Sequence, residues 1–428
     1  MANRYWIGGT GTWDASSTTN WSASSGGAGG ATVPTAADAV LFDASSGGGT
    51  CTIAATVPCL TLNLTGYTGT IAFGTNKIQV AGNAATIFTQ TTSCSVSGTP
   101  VVDLTYTGST GTRVVTALNI AAANTISFNV LGGTDAVNIP SRVRALNFTG
   151  FAGTLVAGSR FVHGDLTFST GMTLSAGTQV LSLRNVTSGS TSILTTNGKT
   201  INNPITQDVA GTWVLGDNLT VNPTYALTVD AGVFNANGKN VNIATLNSSG
   251  ATARTLALGS GTWTVSGSGT AWNCATATNL TVTGAGTISM TSASTKTFAG
   301  GGQTWPTLNQ GGAGALTIQQ SNTFTDITDT VQPATITLTS GTTQTVTQFT
   351  ASGTAGNLIT LNASTAGSRA TISRASGLTN VSYVDVKDIN ATGVAFYSYL
   401  FNGNVNSGNN AGIRFNLPDT SFIPSLFI

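Results

Sequence analysis

The chain has 428 residues and not one glutamate. All 14 of its acids are aspartates, and they stand against 15 Lys and Arg and a single histidine. Helices draw on Glu, Lys, Leu, Arg and Gln, so a chain short of most of these is not a helical protein. No stretch of about 18 apolar residues occurs, so no helix is expected to span a bilayer and no membrane insertion is expected. The net charge of +1 and the lack of any Lys/Arg run leave no basic field for nucleic acid. Four cysteines (Cys51, Cys59, Cys94, Cys274) are too few for a disulfide framework and form no CxxC pair. They are expected as buried free thiols, with Cys51 and Cys59 the one pair near enough in sequence for a bridge. One histidine and scattered cysteines supply no zinc ligand set, so neither metal nor cofactor is expected. The first residues lack the apolar core of a secretory signal. An extracellular role would then need another exit, such as release by lysis within a virus particle.

What fills the chain is glycine (53 residues), with Ser, Thr, Ala and Asn between short Val/Ile/Leu runs. The hydrophobic fraction of 40% is ample for a core. This composition favours strands and turns. In Cys59-Leu-Thr-Leu-Asn-Leu-Thr65 apolar and polar residues alternate, the period of a half-buried strand. A turn at Gly66 and a strand at Thr70–Phe73 follow.

Degenerate repeats run through the sequence. Leu62-Asn-Leu-Thr-Gly-Tyr-Thr-Gly-Thr-Ile71 returns as Leu146-Asn-Phe-Thr-Gly-Phe-Ala-Gly-Thr-Leu155. Asn197-Gly-Lys returns as Asn237-Gly-Lys, Gly211-Thr-Trp213 as Gly261-Thr-Trp263, and Asn218-Leu-Thr-Val221 as Asn279-Leu-Thr-Val282. The order is kept while the spacing drifts, as a β-solenoid allows when insertions loop out of its coil. The expected fold is all-β, a parallel β-helix with an N-terminal Trp-rich cap. With rungs of about 20–25 residues, some 15–18 turns would rise roughly 75–90 Å. At each Asn-[Leu/Phe/Val]-Thr (Asn63, Asn147, Asn185, Asn218, Asn279) the Asn is expected in the left-handed conformation of a corner. The apolar residue then points inward and the Thr outward, so these sequons are read as strand grammar.

Three segments are distinguished. Residues 1–50 hold Trp6, Trp13 and Trp21 among Gly and Ser, a capping or attachment segment covering the open end of a first rung; a sugar-stacking platform is the other use of such rings. Residues 51–330 form an irregular solenoid. Residues 331–428 carry more regular rungs, at Ala334–Thr339, Asn357–Asn362 and Val381–Val386, and end in an apolar tail expected to dock on the chain itself or on a neighbour.

Few groups are suited to chemistry. Glycoside hydrolysis needs two carboxyls across the scissile bond; the local groupings are Asp326 with Asp329 and Asp385 with Asp388. Asp385 and Lys387 are expected to pair as ions on one strand face. Lys77, Lys199, Lys239 and Lys296 recur before strands, which argues for solubility. His163 is read as a surface or corner residue, and Gly132-Gly-Thr-Asp135 as a poor match to a calcium repeat. Thr335-Ile-Thr-Leu-Thr339 has the pattern of an ice-binding face, but the drifting spacing denies it the constant rung such a face needs. No nucleophile elbow, phosphate loop or histidine-centred triad is present. Catalytic, cofactor-binding and metal-ligating residues are therefore all set at none.

The opening Tyr5-Trp-Ile-Gly-Gly-Thr-Gly-Thr-Trp13, with Asn20-Trp-Ser22 and Val33-Pro34, resembles the start of Gly/Thr/Asn-rich β-helical structural proteins (fibre or spike type) of tailed bacteriophages. Gly261–Val265, Thr297–Gly302, Ser321–Phe324, Gly341–Val346 and Ser407–Gly412 resemble later parts of the same proteins. The resemblance implies a non-catalytic virion surface component (tail fibre, spike, head fibre or decoration) in particle architecture or host attachment. Other virion proteins, a host surface glycan and further copies of the chain, as a trimer, are the partners it implies. A tailspike-like polysaccharide depolymerase and a bacterial surface adhesin are the alternatives.

Overall fold

A computed structural model of the chain describes residues 1–7, 9–118, 125–139, 142–185, 190–394 and 396–416. The apolar tail at 422–428 lies outside the described residues. The protein is an all-β parallel β-solenoid of about 16 turns. It divides into two compact units, one of residues 1–225 with 231–235, the other of 226–230 with 236–428.

Alternation and stacking together make the coil. In the second unit Trp263, Ile288, Leu308, Ile327 and Phe349 lie in register on successive parallel strands, and all are buried. One residue along, Thr264, Ser289, Asn309 and Thr328 form the adjoining polar column. Each inward Leu, Ile or Phe contributes about 1.5–3 kcal/mol of burial. The numbering of the inward column shows that the rungs are unequal in length. The slack is taken up at corners, where Asn197 and Gly198 (φ 49° and 75°) and Asn237 and Gly238 (φ 51° and 72°) turn left-handed.

The left-handed expectation for Asn-x-Thr needs correction. Of the five positions named, Asn279 has a positive φ, 56°. Asn63 and Asn147 lie within strands, Thr61–Leu64 and Leu146–Asn147. Their Oδ1 atoms accept from the amides of Thr65 and Thr149, each at 2.9 Å. The side chain there caps the turn ahead, a local bond open to Asn because its amide mimics a peptide. Asn185 instead donates inward to Ser192 Oγ at 2.9 Å. The apolar residue does point inward, as at Leu64, Phe148 and Leu219. The strand expected from Val381 begins at Val384, because Tyr383 takes a left-handed turn, φ 56°.

In the first unit, Trp6, Trp13, Trp21 and Phe42 are at most 1% exposed. Trp21 meets Trp6 and Trp13 edge-on, with centroids 5.3 and 5.1 Å apart. Its strand Trp21–Ser22 pairs antiparallel with Asn3–Trp6 and occupies the edge of the first sheet, ending the parallel stacking there. Rings this deeply buried stack on no ligand, so the capping use holds. Ser46 Oγ ties the cap down by donating to the Trp6 carbonyl at 2.6 Å.

Candidate functional site

The groups singled out for chemistry are spent on structure one by one. On the strand Thr323–Asp329, Asp326 Oδ2 accepts from Thr350 Oγ1 at 2.7 Å, and Asp329 Oδ1 from the Ser352 amide at 2.6 Å. Gln332 Nε2 donates to the other Asp329 oxygen. Burial pushes both carboxyls above the usual range. Asp388 accepts from Asn409 Nδ2 at 2.6 Å and the Gly367 amide at 3.2 Å, and the Asn409 bond leads in holding its pKa down. No ion pair joins Asp385 to Lys387 among the described residues. Asp385 is half-buried, with Oδ1 shut away from water, while Lys387 is exposed. Asp135 forms an ion pair with Arg113 at 2.7 Å in place of a calcium repeat. No group of three or more His, Cys or Asp converges among the described residues. All four cysteines are buried and free, and burial pushes the Cys94 and Cys274 thiols to about 12.

The expectation that Lys296 serves solubility is overturned. Its side chain is fully buried, and Nζ donates to the carbonyls of Ser292, Gly312 and Gly314 at 3.0, 3.2 and 2.5 Å. Burial lowers its pKa to about 8. The cause is position: Lys296 opens the strand Lys296–Ala299 at an inward-facing site.

This is one case of a recurring device. Arg160 opens Arg160–Val162 and Arg254 opens Arg254–Ala257, and both are buried. Arg254 donates to Ser248, Thr252, Thr276 and Thr278 carbonyls at 2.7–3.2 Å. At the other end of strands stand glutamines. Gln90, Gln207 and Gln310 close Thr86–Gln90, Ile205–Gln207 and Thr307–Gln310. Each donates Nε2 to the carbonyl four residues on, of Cys94, Gly211 and Gly314, at 3.3, 3.0 and 2.8 Å. A corner turned inside the coil leaves carbonyls without ladder partners, each costing about 1–3 kcal/mol if unmet. Cations at strand starts and glutamines at strand ends meet them. The signal was in the sequence, as a long polar donor at an inward-parity position, but it reads as noise until the parity is known.

The surface candidate sequence reasoning missed lies on the last described rungs. Tyr397, Tyr399 and Phe401 form a run of rings with centroids 5.2 and 5.1 Å apart. Arg414 stands over Tyr397 at 5.8 Å. Phe401 is 67% exposed, with Leu400, Leu378 and Val405 also exposed. An open hollow of about 410 Å³ beside it is lined by Thr392, Gly393, Val394, Ile413 and Arg414, among others. The surface offers contact area and hydrogen bonds, and among the described residues it brings together no acid–base pair.

Neither a family model, nor a curated protein, nor a solved structure matches the chain.

Proposed function

We propose that this chain is a non-catalytic structural component of a tailed-phage virion surface, a fibre, spike or head-fibre element working in particle architecture or host attachment. The observation that carries the reading is the use made of buried polar groups. Lys296, Arg254 and the strand-end glutamines are bonded to backbone carbonyls, and Asp326 and Asp329 to the neighbouring rung. A protein built this way spends its ionisable groups on holding a coil together. The stacked fold and the resemblance of its opening residues support the same reading. Mass spectrometry of purified particles from the phage whose genome carries the gene tests it. Peptides of this chain at structural stoichiometry are expected, and their absence from particles overturns the proposal. The competing reading, a glycan depolymerase, draws on the raised carboxyls of Asp326 and Asp329. It requires release of reducing ends from a host glycan, abolished by Asp326→Asn.

A further inference from the structure

In a chain with so little charge, one patch of the first unit gathers three arginines beside the only histidine. The strands Arg142–Val143, Arg160–Val162, Leu181–Leu183 and Ile205–Gln207 are successive rungs of one sheet. Val143, Val162 and Leu183 point inward and are buried. The outward column is therefore Arg142, Phe161, Ser182 and Thr206. The ladder runs one residue further: the His163 amide donates to the Val143 carbonyl and the Arg184 amide to that of Val162. Arg144, His163, Arg184 and Asp208 thus follow one another on adjacent rungs, about 4.8 Å apart.

Phe161 organises the cations. The Arg142 guanidinium lies 4.7 Å from the ring centroid and that of Arg184 lies 5.2 Å away. Two like charges share one aromatic side chain, held there by its quadrupole. Among the described residues a single carboxylate answers them: Asp208 pairs with Arg184 at 3.0 Å. Among the described residues, Arg144 reaches only the Gly98 carbonyl at 3.5 Å and Arg142 has no side-chain acceptor. His163 donates through Nδ1 to the Arg184 carbonyl at 2.8 Å, while its Nε2 is buried without a partner.

We infer that this face is a binding site for an acidic polysaccharide, whose carboxylate or sulfate groups are taken by Arg142, Arg144 and Arg184. The inference rests on the attachment reading above and supplies its ligand class. Guanidinium forks match carboxylate and sulfate oxygens in two parallel hydrogen bonds, and a bound anion relieves the repulsion around Phe161. Two rungs separate Arg144 from Arg184, a distance that a polymer with one acid on each repeating unit spans. Thr206 in the same column, half-buried, offers a hydroxyl to sugar. Nucleic acid is the less suited polyanion, since its binding is built from many neutralised phosphates and this patch holds three arginines and an aspartate.

Biolayer interferometry of the full purified chain tests the site, with immobilised hyaluronate, dextran sulfate, neutral dextran and poly(dT) as probes. Binding to hyaluronate or dextran sulfate is expected, with none to neutral dextran. It should weaken as salt rises from about 50 to about 200 mM. The double substitution Arg142→Gln/Arg144→Gln is expected to weaken it about tenfold or more, while Lys387→Gln, an exposed cation of the other unit, leaves it unchanged. Arg144→Gln alone, at an exposed position, gives a smaller loss and guards against misfolding of the double variant. The inference is overturned if no polymer binds, if neutral dextran binds equally, if poly(dT) binds more tightly than both acidic glycans, or if the double variant binds like the parent. Should particles lack the chain while acidic glycan binding holds, the site stands and its virion setting falls.

Discussion

Aromatic residues do opposite things in the first and the last described rungs. Trp6, Trp13, Trp21 and Phe42 are buried against one another, beneath an antiparallel strand that ends the sheet. Tyr397, Tyr399 and Phe401 line up on the surface, and the nearby edge strand Val405–Asn406 is exposed at both residues. A stack of parallel strands has an end wherever it starts or stops, with backbone groups and apolar side chains to cover. The first rungs cover theirs by reversing chain direction once. Between Thr379 and Arg414 the described strands continue parallel to the end. Aromatic content alone does not separate buried rings from exposed ones, since among the described residues Trp21 is fully buried and Phe401 is exposed.

The comparison breaks most sharply at Trp21. Trp21→Ala should cost about 3–5 kcal/mol, read as a lower urea midpoint for the first unit. A loss under about 1 kcal/mol would show that the antiparallel strand covers nothing essential. A fully interior reference sits between the two cases. Lys296→Met removes three hydrogen bonds to carbonyls, of which those of Ser292 and Gly314 keep another donor, and should cost about 1–3 kcal/mol. The same lysine carries a pH signature. Its folded pKa, about 8, lies below the ordinary 10.5, so the unfolded chain binds more protons between those values. Stability should rise with pH across that window, and the rise should vanish in Lys296→Met when denaturant midpoints are compared.

Acid sharpens the contrast between regions at a smaller scale. Asp14 is held at about 2, chiefly by the Ser17 and Ser16 amides. Its contribution is complete above the ordinary carboxyl value of 3.8 and is lost as pH falls toward 2. Asp326 and Asp329 are shifted upward by burial, so the folded form takes up protons first and acid relieves their cost from above 3.8 downward. Asp14→Asn should flatten the acid limb of the first unit, and Asp326→Asn should remove the compensating gain of the second. Each effect should stay under about 1 kcal/mol, measured as the pH dependence of the unfolding midpoint. The smallest change is expected at Phe401. Phe401→Ser should alter stability by no more than about 0.5 kcal/mol, and a loss above about 2 kcal/mol would place that ring in the core after all.

Much of the fold was legible from period and composition. Leu62 and Leu64 announced a half-buried strand and lie in one, both buried. The three early tryptophans announced a cap. Less legible was the fate of polar side chains. Asn63 and Asn279 share a motif, yet one caps a turn from within a strand and the other bends the chain left-handed. Lys239 and Lys296 each lie two residues ahead of a buried apolar residue, Val241 and Phe298, yet Lys239 precedes its strand while Lys296 opens one and is sealed inside. The difference is inward or outward parity. A single added corner residue reverses it, and the uneven rungs hide where those residues fall. The arginines around Phe161 were invisible for the same reason, since Arg142 and Arg184 meet only once the length of each intervening rung is known.

The order of residues by itself determined that strands form, how long they run and that they repeat, because alternation and turn chemistry act over a few residues. Tertiary structure alone decided which columns those strands build. That choice fixed where buried cations find carbonyls and where three guanidiniums share a face, because contacts across rungs depend on accumulated loop length, and no local pattern records it.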